Sequence, residues 1–177
     1  MTNAKPIGLF YASTTGNTED VAQLIADRLE PWVQVHDIAV EGVEAMQQYG
    51  CLIMGIPTWD YGELQEDWQE CWQAIAAQNF VGKRVALFGL GDQMGYGEWF
   101  QDAMGELHQL LTSVGATLVV PWSVEGYRFE ASRALTDDGR SFVGLALDED
   151  GQHGVTEERL DQWIPQVCRA FDLPSDG

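Results

Sequence analysis

The chain has 177 residues, 45% of them hydrophobic and 11% aromatic, which suits one domain with a full core spanning residues 1–177. Its formal charge of −19 opposes binding to nucleic acid or to an anionic membrane and favours basic partners, with association rates that fall as salt rises. The three cysteines, Cys51, Cys71 and Cys168, form no C-x-x-C and sit among apolar residues as buried thiols do, which predicts a reducing, cytoplasmic setting.

The N-terminal stretch lacks a charged region followed by an apolar run of about 7 to 15 residues, so no secretory leader is expected. No apolar run reaches the length of about 18 residues that crosses a bilayer. Ile7 to Ala12 predicts the first strand. Ser13-Thr14-Thr15-Gly16-Asn17-Thr18 follows as a tight loop, and an amphipathic run from near Glu19 carries the core stripe Val21, Leu24, Ile25 and Leu29. Val33 to Ile38 predicts a second strand, Glu41 to Tyr49 a short helical segment, and Cys51 to Ile56 a third strand. A helix then carries Trp68, Cys71, Trp72 and Ile75, and Arg84 to Leu90 predicts a fourth strand. The next helix carries Phe100, Met104, Leu107, Leu111 and Val114, and Thr117 to Pro121 predicts the fifth strand. From Trp122 to Arg140 the pattern is irregular and polar. The apolar run Ser141 to Leu147 then resumes, so an insertion of about twenty residues splits or follows the fifth strand. The last helix carries Leu160, Trp163, Ile164, Val167, Cys168 and Phe171, with Pro165 expected to kink it.

Short continuous apolar runs alternating with helices mean strands buried on both faces. The fold class is therefore α/β, a doubly wound five-stranded parallel sheet with helices on both faces. Ligands of such sheets bind beyond the carboxyl ends of the strands, so three loops converge on one edge. The Ser13–Thr18 loop contains no Lys or Arg. An anion there would be held by backbone N–H groups, hydroxyls and the helix N-terminus, which suits a tethered phosphate monoester. The second loop, Pro57-Thr58-Trp59-Asp60-Tyr61-Gly62-Glu63, sets a Trp and a Tyr at the sheet mouth, where something flat would cover them. The third, Gly89-Leu90-Gly91-Asp92-Gln93-Met94-Gly95-Tyr96-Gly97, adds glycines and another ring. Together the loops fit a planar heteroaromatic ring joined to a phosphate.

With these residues in view the chain resembles the flavodoxins, of the long-chain group. The resemblance rests on the T-G-x-T loop (Thr15 to Thr18), P-T-W-D-Y-G-E-L (Pro57 to Leu64), G-D-Q-x-G-Y (Gly91 to Tyr96) and F-V-G-L-A-L-D-E-D (Phe142 to Asp150), and it spans nearly the whole chain. It implies the sheet order 2-1-3-4-5 and FMN as cofactor. The phosphate would lie on Ser13, Thr14, Thr15, Gly16, Asn17 and Thr18, and the ring between Trp59 and Tyr96. Pro57, Thr58, Asp60, Tyr61, Gly62, Leu90, Gly91 and Asp92 would border the ring, and Gln101 and Asp148 would lie near the ribityl chain. Leu90 stands where Thr is common in the family and Asp60 where Asn is frequent.

The resemblance further implies a one-electron carrier, not an enzyme, that shuttles between semiquinone and hydroquinone and replaces or complements ferredoxin. In the family, the peptide matching Asp60–Tyr61 turns to favour the neutral semiquinone. The charges of this chain bear on the second electron. Between Arg28 and Lys83 there is no Lys or Arg but there are nine acids, Glu30, Asp37, Glu41, Glu44, Asp60, Glu63, Glu66, Asp67 and Glu70. One like charge ~10 Å away costs about 1.7 kcal/mol at an effective dielectric of ~20, and each ~1.4 kcal/mol lowers a one-electron potential by about 59 mV. A low second potential is expected. Glu63, Glu66, Asp67, Glu70 and Glu98 are expected to steer basic-faced redox partners such as ferredoxin-NADP-type reductases, photosystem I, pyruvate oxidoreductase or nitrogenase components, met by a monomer.

Other readings find less support in the residues. A flavin enzyme using NAD(P)H would meet an acidic surface uninviting to its phosphates. No C-x₅-R marks a phosphatase, since Pro57, Ala77 and Pro174 stand six residues past the three cysteines. Gly82-Lys83 is followed by Arg84, so no Walker site is formed. His36, His108 and His153 are far apart, and Asp148-Glu149-Asp150-Gly151 lacks the rest of a calcium loop, so no metal is expected.

Overall fold

A computed structural model of the protein describes residues 6–13, 16–59, 62–92, 95, 97–148 and 153–173. The chain enters through β1 (Ile7–Tyr11), turns into α1 (Asn17–Leu29), and returns through β2 (Val33–Asp37), the single-turn α2 (Ile38–Glu41) and a 3-10 turn (Glu44–Gln48). Then come β3 (Cys51–Trp59), β4 (Glu63–Leu64), α3 (Glu66–Ala76), β5 (Arg84–Leu90), a 3-10 turn (Gly97–Trp99) and α4 (Asp102–Ser113). The chain ends through β6 (Thr117–Val119), β7 (Trp122–Ser123), β8 (Ser141–Phe142), β9 (Leu145–Leu147), a 3-10 turn (His153–Val155) and α5 (Thr156–Ala170).

The main sheet runs β2-β1-β3-β5-β6, with every neighbouring pair parallel. β9 also pairs in parallel with β5, along Phe88 to Leu90, whereas β6 pairs with Arg84 to Ala86. The two short strands thus occupy successive stretches of one edge: they are halves of a single fifth strand, and the insertion splits it. At the split Val120, a β-branched residue, adopts a left-handed φ of 59°, and Pro121 follows. The left-handed backbone turns the chain out of the sheet at a steric cost.

The insertion folds back on the body. β7 and β8 pair antiparallel, Val143 N–H donates to the Ala134 carbonyl (2.7 Å), and Tyr127, Phe129 and Phe142 pack around Phe100 with ring centroids 5.1–5.9 Å apart. Tyr127 OH donates to the Ala146 carbonyl at 2.5 Å and accepts from Trp122 Nε1 at 2.9 Å. Burial raises the Tyr127 phenol to about 12, so it remains a donor.

Alternation along the strands divides the core in two. Ile7, Leu9 and Tyr11 face α1 and α5 together with Ile53, Ala86 and Phe88. Phe10, Leu52, Met54, Ile56 and Leu87 face α3 and α4. α5 continues through Pro165 as one element, with Pro165 on the exposed side. Cys51 is buried, but Cys71 and Cys168 are half-buried rather than enclosed. Among the described residues no helix is long and apolar enough to cross a membrane.

Candidate functional site

β1, β3, β5 and β9 are parallel neighbours, so the segments that leave their carboxyl ends meet at one edge. The first leaves Tyr11. Ser13 Oγ accepts from Gly16 N–H (3.0 Å), closing a turn, and Gly16 takes φ 95° to start α1. A β-carbon at Gly16 would meet nothing within 4 Å, so the space beside the helix start is open. Asp20 N–H is the first to reach back into the helix, to the Gly16 carbonyl at 2.9 Å. The N–H groups of Asn17, Thr18 and Glu19 therefore lack intrahelical acceptors, and Gly16 has no side chain to cap them. Thr18 is buried and Asn17 half-buried. Tyr11 donates to Glu19 Oε2 (3.2 Å); burial first, then Asp37 and Glu19, push its phenol up to about 12, so it stays neutral. Thr14 and Thr15 lie outside the described residues.

The second segment differs from the expected loop. β3 extends through Pro57 and Thr58 to Trp59 because β4 pairs back on it, Thr58 opposite Leu64 and Trp59 opposite Glu63. The result is a hairpin, with Gly62 (φ 87°) on its returning side. Thr58 Oγ1 accepts from Ala103 N–H (3.0 Å), so this hydroxyl caps α4 from the hairpin. Gln65 Oε1 caps α3 in the same way, accepting from Asp67 N–H at 3.0 Å and Trp68 N–H at 3.2 Å. Asp60 and Tyr61 lie outside the described residues. So does Tyr96, and the expected sandwich of a ring between Trp59 and Tyr96 falls there too.

The third segment leaves Leu90, which is buried and pairs with Pro57 on one side and Leu147 on the other. Gly91 N–H donates to the Leu147 carbonyl (3.0 Å), and Gln101 Nε2 donates to the same oxygen (3.0 Å). Gln101 is fully buried with φ 62°, its Oε1 has no hydrogen-bond partner among the described residues, and its amide lies against Gly89 and Gly91. Asp92 Oδ1 accepts from Gly95 N–H (2.8 Å), tightening the segment, and Asp148, at the end of β9, is fully buried. The insertion reaches this segment as well: Glu130 and Ala131 N–H both donate to the Gly97 carbonyl, at 2.8 and 3.0 Å. A cleft of about 620 Å³ opens there between Trp99 and Phe129.

Ser13, Gly16 to Thr18, Pro57, Thr58, Gly62, Leu90 to Asp92 and Asp148 thus gather at one sheet edge, with Gln101 beneath the third segment. Sequence reasoning missed Asp102. This carboxylate opens α4, is 3% exposed, and lies against Gly62. Burial pushes it above its ordinary value, while the Arg133 N–H and guanidinium pull it down. In sequence it reads as an ordinary first-turn acid, with no signal of its contacts. Among the described residues no cluster of His, Cys, Asp and Glu could hold a metal ion.

The described site can cradle an anion on backbone N–H groups beside a hairpin and a glycine-bearing loop. A family model described as Flavodoxin matches residues 9–163. Flavodoxin 2 of Escherichia coli (strain K12) is 48% identical over 162 residues, covering 91% of this chain and 94% of that protein. Flavodoxin 1 of the same strain is 46% identical over 167 residues, 94% of each. Among solved structures, the flavodoxin of Fusobacterium nucleatum bound to flavin mononucleotide superposes with a TM-score of 0.89 at 31% identity, covering 95% of this chain and 99% of that one. Oxidised flavodoxin 2 from Bacillus cereus does so at 0.68 and 25%, covering 94% and 99%. On its sheet order, its three converging segments and these likenesses, the chain belongs to the flavodoxin family.

Proposed function

We propose that the protein binds FMN at this edge and carries electrons one at a time between redox proteins, without turning over a substrate of its own. The observation that carries the reading is the start of α1, whose N-cap Gly16 has no side chain to offer: three backbone N–H groups without intrahelical acceptors and open space beside Gly16 among the described residues, next to the hairpin and the third segment. That donor set suits a phosphate monoester, whose charge the helix N-terminus stabilises without Lys or Arg. When bound, FMN supplies reversible one-electron chemistry.

The residues of the chain do the rest. Ser13, Thr14, Thr15, Gly16, Asn17 and Thr18 hold the phosphate. Pro57, Thr58, Trp59, Asp60, Tyr61 and Gly62 border the ring on one side; Leu90, Gly91, Asp92 and Tyr96 border it on the other. Gln101 and Asp148 support the chain between ring and phosphate. Leu90, buried at the end of β5, keeps water from the ring edge there. Glu63, Glu66, Glu70 and Glu98 are exposed, and Asp67 half-exposed, on segments flanking the site, where they favour a basic partner and disfavour added negative charge. Ferredoxin-NADP-type reductases, photosystem I, pyruvate oxidoreductase and nitrogenase components are the candidate partners. The carrier acts as a monomeric, single-domain protein of residues 1–177 in the cytoplasm, in place of or beside ferredoxin.

Comparing FMN with riboflavin by calorimetry tests the phosphate cradle. FMN is expected to bind at least a hundredfold more tightly, with Ser13→Ala closing part of the gap by weakening FMN alone. Equal affinities would remove α1 from the site.

A further inference from the structure

One of the contacts between the insertion and the body of the protein is made by a buried carboxylate. Asp102 Oδ1 accepts from Arg133 N–H at 2.7 Å, and the Arg133 guanidinium stands 3.9 Å from Oδ2 and 3.5 Å from Glu106. On its other side the same carboxylate touches the hairpin: a β-carbon at Gly62 would lie 2.9 Å from Oδ2. The next backbone N–H, of Ala103, is the one that donates to Thr58 Oγ1. One turn further on, a β-carbon at Gly105 would lie 2.3 Å from the Arg133 carbonyl oxygen, so α4 and the insertion touch backbone to backbone. A single helical turn therefore contacts the insertion on one side and the hairpin on the other.

A buried carboxylate that loses a donor cannot stay as it is. It turns toward water, draws in another donor or takes up a proton. Each of these changes the surface against which Gly62 rests. Glycine at φ 87° has wide backbone freedom, so the contact adds to the pairing of Thr58 with Leu64 and Trp59 with Glu63 in holding the hairpin at that position.

We propose that Asp102 is a positioning residue that couples the insertion to the β3–β4 hairpin, so that seating Arg133 on its carboxylate fixes the backbone at Gly62 and raises the affinity of the hairpin for the flavin ring. The last clause rests on the FMN reading above; the coupling itself does not. An ordinary first-turn acid would stabilise α4 through the helix dipole and leave the hairpin unaffected when the insertion is altered.

Hydrogen exchange in the FMN-free protein, followed residue by residue, separates the two. Arg133→Pro removes the donated N–H without touching any hairpin residue, and Asp102→Ala removes the acceptor. Both are expected to speed exchange of the Gly62, Glu63 and Leu64 amides about tenfold while the β5 amides, which report global folding, keep their rates. Asp102→Asn, which retains an acceptor oxygen, is expected to restore most of the protection and serves as the folded control should Arg133→Pro unfold the chain. In FMN titrations each disruptive variant is expected to weaken binding about tenfold, and the double variant no more than either alone. Wild-type hairpin exchange in Asp102→Ala, or multiplied losses of affinity in the double variant, would overturn the coupling. Failure of the wild-type protein to bind FMN would overturn the cofactor reading, and the exchange rates would still decide the coupling.

Discussion

His108 stands on α4 where the helix faces the insertion, half-buried beside a groove that Arg133, Leu135 and Asp137 also line. Burial pushes its imidazole below the ordinary histidine value, against the pull of Asp137. The folded state thus prefers the neutral ring. The stability this preference confers is complete above the unfolded value of about 6.5 and is lost as pH falls through it toward the lower folded value. Glu106 on the same helix has its carboxyl pushed up by burial, so its contribution runs the other way, falling as pH rises. Thermal melts between about pH 7.5 and about pH 5.5 are expected to show a decline in the parent that His108→Gln lacks; superimposable profiles would contradict this. Such roles are the least legible part of a sequence. Thr58 reads as a loop hydroxyl beside a ring, yet it caps a helix 45 residues further on, and no local pattern encodes that contact. The same holds for Gln65, whose capping oxygen stands where Ser or Asp would be the usual signal.

Elements were more legible than residues, for a physical reason: hydrophobic periodicity is local, whereas pairing is not. Arg84 to Leu90 is a strand over the span its apolar run predicts. Pro57 to Trp59 reads as a loop because the apolar run ends at Ile56, but β4 pairs with it and carries the strand on. The irregular stretch after Pro121 marks the insertion. That it splits the fifth strand follows from register, with β6 and β9 on successive parts of β5. The insertion stays in place partly because Gly105 lets the Arg133 carbonyl approach α4. Gly105→Ala gains about 1 kcal/mol of helix propensity but forces a backbone clash, an overpacking cost of roughly 1–3 kcal/mol that no rotamer relieves. Urea titration is expected to show net destabilisation of about 1–2 kcal/mol. A more stable variant would mean that the insertion is not seated on α4.

For the molecule as a whole, charge was legible before any fold. A chain of −19 lacks Lys and Arg from Leu29 to Gly82, and within that stretch Glu63, Glu66, Asp67 and Glu70 follow the carboxyl end of β3. Glu66 and Asp67 open α3 directly after the hairpin, Glu66 exposed and Asp67 half-exposed. Neutralising both as Glu66→Gln/Asp67→Asn is expected to slow electron transfer to a basic reductase several-fold at low salt and little at high salt, since steering is screened over about 8–10 Å at physiological ionic strength. An unchanged salt dependence, read by stopped-flow, would assign these acids to solvation alone. The converging segments were also legible, because parallel order fixes which strand ends face the same way. Their detailed contacts were not.

FMN held at this edge would pass electrons singly, the second made difficult by the acids on the flanking segments. Anaerobic stepwise reduction of the FMN-loaded protein, with its visible spectrum followed against potential, is the deciding measurement. Two resolved one-electron steps are expected, the second at markedly lower potential than for free FMN. A single two-electron step, or FMN released before reduction begins, would rule out a one-electron carrier at this edge.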